Sequence, residues 1–145
     1  MKKRNIIVAL SLVLGASTLS GAAFATVTEK SAKTAPADAR MMTLHAMMPM
    51  LSVASAGLKT ALEKGETASV EKEAEKILAA IPALKKSRPH KNVKQRKIYL
   101  KLAAKLEETV TSTVGLAKKG DFAGAKTAFQ KVEATCVACH VKFRD

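Results

Sequence analysis

Beyond residue 40, apolar side chains return every three or four residues along almost the whole chain, and that period decides the class of fold. The clearest run is Met41, Leu44, Met48, Leu51, Ala54, Leu58 and Leu62. Such spacing keeps side chains near one face of an α-helix, whereas a strand would need alternation. Only four prolines interrupt a chain of 145 residues that is rich in Ala, Leu and Lys. That length allows one domain.

The pattern divides into four helices. The first is expected over residues 37–64 and stops at Gly65, with a kink or split at Pro49, which lacks a backbone donor. The second opens near Thr67 or Ser69, either of which suits a cap, and weakens at Pro82. A basic loop follows through Pro89. The third is expected over residues 92–118, with Tyr99, Leu102, Leu106, Val110, Val114 and Ala117 inward. Its stretch 109–114 is β-branched enough for a strand, but it lies inside the helical pattern and reads as helix. Gly120 fits the position after a helix end, and Asp121 fits the cap of a fourth helix running to the end of the chain. That helix carries Phe122, Ala125, Phe129, Val132, Cys136, Cys139, His140 and Phe143 on one side. Four amphipathic helices with short connections predict an all-α, up-down-up-down bundle over residues 37–145.

The segment before the bundle reads as targeting sequence rather than fold. Met1-Lys2-Lys3-Arg4 is basic, residues 6–14 are apolar but too few to span a bilayer, and Ala23-Phe24-Ala25 places small residues where a signal peptidase reads them. Residues 1–25 are therefore expected to be a signal peptide cut after Ala25, with no stable membrane anchor. Residues 26–36 form a polar, flexible leader. The periplasm is the expected compartment. The formal charge is +13, and Lys2, Lys3 and Arg4 supply three of these charges with no acid before residue 26, which leaves +10 for residues 26–145. Lys85, Lys86, Arg88, Lys91, Lys94, Arg96 and Lys97 concentrate much of it. Most such charges are simply solvated; the functional alternative is a surface that attracts an acidic partner. Export argues against nucleic acid.

Two cysteines in an exported protein pair as a disulfide by default. Here they stand as Cys136-Val137-Ala138-Cys139-His140, the C-x-x-C-H signature of c-type haem attachment. Thiols three residues apart on a helix share a face, about 4.5 Å apart along the axis, and can reach two vinyl groups on one porphyrin edge. The next residue, His140, then offers an imidazole to the iron as proximal ligand. A thioredoxin-type dithiol needs a βαβ context that is missing from the pattern. A zinc site needs more ligands than these three supply, and His45 and His90 are the only other histidines. No nucleophile–base or carboxylate pair points to an enzyme.

Gly120-Asp121, Phe129, Val132 and the run Thr135-Cys136-Val137-Ala138-Cys139-His140-Val141-Lys142-Phe143-Arg144 resemble the C-terminal end of the class II c-type cytochromes, the cytochrome c′ group. Gly57 and Lys64-Gly65-Glu66 resemble the end of that family's first helix. The resemblance implies one covalently bound haem c near the C-terminus of a four-helix bundle. It also implies a choice between six-coordinate and five-coordinate iron, and frequent homodimers.

The distal side can be approached by counting. His140 lies 18 residues past Phe122, about 27 Å along a helix, and the same descent from Lys64 along the first helix reaches position 46. Five of the six methionines fall at 41, 42, 47, 48 and 50. Met48 lies on the core stripe and is the first candidate for distal ligand, with Met47, Met41 and His45 as alternatives. These methionines would otherwise simply pack around the macrocycle. The expected function is electron transfer by a mono-haem carrier that docks on acidic redox partners. The alternatives are a five-coordinate binder of nitric oxide or carbon monoxide, and a haem-free helical protein with a Cys136–Cys139 disulfide.

Overall fold

The computed structural model describes residues 36–144, with side chains from residue 39 onward. The expected signal peptide and residues 26–35 of the leader lie outside the described residues. Four helices follow in order: α1 (Pro36–Lys64), α2 (Thr67–Lys86), α3 (Arg96–Lys118) and α4 (Phe122–Phe143). No strand occurs among the described residues.

Specific contacts fix the helix directions. At one end, Phe122 at the start of α4 lies against Gly65, in the α1–α2 turn. Thr67 Oγ1 at the start of α2 donates to the carbonyl of Ala117 at the end of α3 (3.4 Å). At the other end, the backbone N–H groups of His90 and Lys91 donate to the Phe143 carbonyl (3.2 Å each), so the α2–α3 loop lies on the last turn of α4. His45 of α1 meets His90 of that loop. The helices therefore run up, down, up, down. The core takes side chains from all four: Leu58 and Leu62, Val70 and Ile81, Tyr99 and Val110, and Val132 are among the most completely buried.

Local chemistry explains where the helices begin and end. Gly65 and Gly120 follow α1 and α3 with φ of 71° and 78°, in the left-handed region that glycine enters at no steric cost. Asp121 Oδ1 accepts from the Gly124 N–H (2.8 Å) and caps α4 as its sequence position predicts. The β-branched stretch of α3 is helical, and its hydroxyls bond back into the helix: Thr109 Oγ1 donates to the Lys105 carbonyl (2.9 Å) and Thr113 Oγ1 to the Thr109 carbonyl (2.8 Å).

Three details differ from the pattern-based reading. Of the kink or split expected at Pro49 the split is excluded, since α1 is unbroken there, and α2 does not fade at Pro82 but continues to Lys86. Both prolines sit on exposed faces, while Ile81 and Leu84 around the second stay buried, so packing holds the helix through the missing donor. Glu66, not Thr67 or Ser69, is the cap position of α2; Ser69 Oγ donates to Glu66 Oε2 (2.9 Å). Finally, α3 starts at Arg96 rather than 92 because Asn92 adopts φ 54° and its carbonyl accepts from Gln95 N (2.7 Å), forming a turn.

A Cβ added at Gly120 would meet nothing within 4 Å, so only backbone strain opposes it. Gly120→Ala should cost about 1–2 kcal/mol. Thermal denaturation checks this, with an expected fall in Tm of roughly 4–8 °C per kcal/mol.

Candidate functional site

The helix seams are unequal. Extensive contacts join α1 to α2, α2 to α3 and α3 to α4, while α1 and α4 touch sparsely. A cavity of about 910 Å³ occupies the loose seam. This lies within the range of roughly 300–1,000 Å³ typical of cofactor and ligand pockets. Its α4 wall carries Cys136, Cys139, His140 and Phe143, and its α1 wall carries Leu44, His45, Met48 and Leu51. Tyr99, Leu102 and Leu106 of α3 form part of the rest. Lys59 and Glu133 also line it and bridge α1 and α4 as a half-exposed ion pair (4.0 Å).

Tyr99 supports the site from below. Its hydroxyl shares a hydrogen bond with Ser87 Oγ (2.7 Å) and donates to the Leu84 carbonyl (3.2 Å), which ties α3 to the end of α2. Its ring meets the edge of Phe143 (centroids 5.2 Å apart, 82° between planes), so the last turn of α4 rests on α3. Arg96 donates to the Ser87 carbonyl (2.7 Å) and to that of Lys85, capping the negative end of α2. Asn92 Nδ2 donates to the Lys142 carbonyl (2.7 Å), a second tie between the loop and α4.

Both thiols are free and half-buried. Burial pushes the Cys139 thiol up to about 11, with Cys136 adding to the shift. Burial also raises Cys136, reinforced by Glu133 and partly offset by a backbone hydrogen bond. His140 moves the other way: partial burial, then the Arg144 guanidinium, lowers it from its ordinary value. A neutral imidazole with a free nitrogen lone pair is the form that ligates a metal.

The structure distributes the sequence-derived residues unevenly. Cys136, Cys139, His140, Met48 and His45 line one cavity. Met47 is buried in the core, and Met41 is half-buried; neither lines the cavity. His45 is hydrogen-bonded through Nε2 to His90 Nε2 (2.7 Å), with the two rings nearly parallel (15°). His90 and Tyr99 are cavity residues that the helical pattern did not single out for this site. The position of His90 depends on a loop folding back onto α4, for which the sequence carries no periodic signal.

Two thiols on one helical face, an imidazole one residue on and an apolar opposite wall form a donor set that fits an iron porphyrin. A family model described as Cytochrome C' matches residues 45–144. The chain belongs to the cytochrome c′ family. No curated protein and no solved structure matches it. The match includes every cavity residue named above except Leu44, and the family implies a covalently bound haem c. Members of the cytochrome c′ family are generally non-enzymatic haem proteins and typically periplasmic.

The buried thiols set a test on the haem-free protein. The thiolate is the reactive form, so alkylation of Cys139 should be slow at pH 8 and rise with a midpoint near about 11. Mass-spectrometric mapping of alkylation against pH checks this. The unfolded chain loses this proton first, so the haem-free fold should lose stability as pH rises from 9.0 towards about 11.

Proposed function

We propose that this chain is a periplasmic mono-haem electron carrier. Cys136 and Cys139 hold the macrocycle by thioether bonds, His140 is the proximal ligand and Met48 is the distal ligand. Bound haem supplies a one-electron ferric/ferrous couple. The observation that carries the reading is the α1–α4 cavity: Met48 is the one methionine among its lining residues, and it shares the cavity with both thiols and His140. His45 has its Nε2 engaged with His90, which supports Met48 over His45 as ligand.

The protein's contribution follows from the walls. Leu44, Leu51, Leu102, Leu106 and Phe143 give the pocket apolar walls, and an apolar surround with Met/His ligation favours a raised reduction potential. Tyr99 and its partners hold the end of α4 in place, so the proximal imidazole need not reorganise between oxidation states. The excess of positive charge supports an acidic redox partner. Exposed Met42, Met50 and Val53 on α1 support a homodimer.

A second reading has its own support. Leu44 and Leu51 face the same cavity from the same helix as Met48. With either of them over the iron, the distal position has no ligand and suits nitric oxide or carbon monoxide.

Electron paramagnetic resonance of the ferric holoprotein separates the two. The electron-carrier reading expects a low-spin, six-coordinate spectrum. Met48→Leu nearly conserves volume and should convert it to high-spin, with a lower reduction potential. A high-spin, five-coordinate native protein whose ferrous form takes up carbon monoxide without displacing a ligand would exclude axial methionine.

A further inference from the structure

Val137 and Val141 are 60% and 81% exposed, although they lie in the same two turns as Cys136, Cys139 and His140. They stand one helical turn apart and so share a face. Ala134 and Ala138 beside them are also exposed. Single exposed apolar residues need no explanation. Four neighbouring apolar positions on one face, adjoining the strip of α4 that lines the cavity, form a patch.

The setting of this patch is strongly basic. The stretch 85–97 holds seven cations and no acid. Two of the seven are committed to local structure: Lys85 pairs with Glu107 (2.6 Å), and Arg96 caps α2. Lys86, Arg88, Lys91, Lys94 and Lys97 are exposed. The loop that carries them is bonded directly to the last turn of α4 through His90, Lys91 and Asn92. Arg144 adds an exposed cation at the end of that helix. Around the opposite turn, Glu63, Glu66, Glu71, Glu73 and Glu75 offset the lysines there. The excess positive charge of the described residues is thus gathered at the end of the bundle that carries the last turns of α4.

An apolar centre with a charged rim is the anatomy of a transient protein interface, in which the rim steers and the centre seats. We infer that the Val137–Val141 face of α4, with the basic segment 86–97 that joins α2 to α3, docks an electron-transfer protein that presents an acidic rim around an apolar centre. This rests on the electron-carrier reading. The face lies across α4 from both thiols, so a single helix, about 10 Å thick, separates a partner seated there from the cavity.

Stopped-flow reduction of the ferric holoprotein by reduced [2Fe–2S] ferredoxin, a small acidic one-electron donor, tests the inference. One electron leaves the cluster and ferric haem iron becomes ferrous; no bond or proton moves. The low potential of the donor makes the transfer downhill. Val141→Glu and Lys91→Glu should each lower the second-order rate constant by about five-fold or more at low salt, with the difference fading as ionic strength rises. Lys126→Glu, at the far end of α4, should stay within about two-fold of the native rate. The haem spectra of all three should match the native protein. Native rates in both the Val141 and Lys91 variants, or an equal loss in the Lys126 variant, overturn the docking face. So does a homodimer that Val141→Glu dissociates, since the occupant is then a second copy. A pyridine haemochrome assay on the same samples reads the underlying assignment separately: absence of covalent haem removes the electron carrier and the docking face with it.

Discussion

The open seam between α1 and α4 is the constraint on which the rest of this structure depends. A four-helix bundle can close all of its neighbouring seams with interdigitated side chains. Here three are closed and the fourth is held apart around a cavity of about 910 Å³. The Lys59–Glu133 pair that bridges it is half-exposed and worth little by itself. The walls of that seam are largely apolar, so they gain most when a large flat apolar group buries them. The covalently bound haem c that the family implies would meet that demand, and Cys136 and Cys139 lie on one of the two walls.

One environment prepares both kinds of donor. Burial raises the two thiols and lowers His140, so near neutral pH the thiols are protonated and the imidazole is neutral. The support beneath the site is equally economical. Tyr99 links the end of α2, through Ser87 and Leu84, to Phe143 at the end of α4. The same region carries the basic loop. The two thiols, His140 and much of the positive charge therefore collect at one end of the bundle, while the opposite end is left to turns and caps.

Much of this was legible in the sequence, for identifiable reasons. Regular spacing of Leu44, Leu58, Leu62 and their counterparts marked the helices, and Gly65, Gly120 and Asp121 marked ends whose chemistry is local. The C-x-x-C-H run marked residues that the fold does bring to one cavity, because its spacing puts both thiols on one face of any helix. Counting along antiparallel helices reached the level of Met48 without knowledge of side-chain direction. What escaped was non-local. The continuation of α2 past Pro82 depends on burial of Ile81 and Leu84 against other helices. The late start of α3 depends on the left-handed turn at Asn92. The pairing of His90 with His45 depends on a loop returning to α4, and no period records that.

The central claim is that Cys136 and Cys139 carry one haem in this seam. Intact-mass measurement of the protein purified from the periplasm, under denaturing conditions, tests it most directly. The account predicts the polypeptide from residue 26 plus one haem, with the added mass lost in the Cys136→Ala, Cys139→Ala double variant. A mass equal to the bare polypeptide, or lighter by two hydrogens as a Cys136–Cys139 disulfide requires, would contradict it.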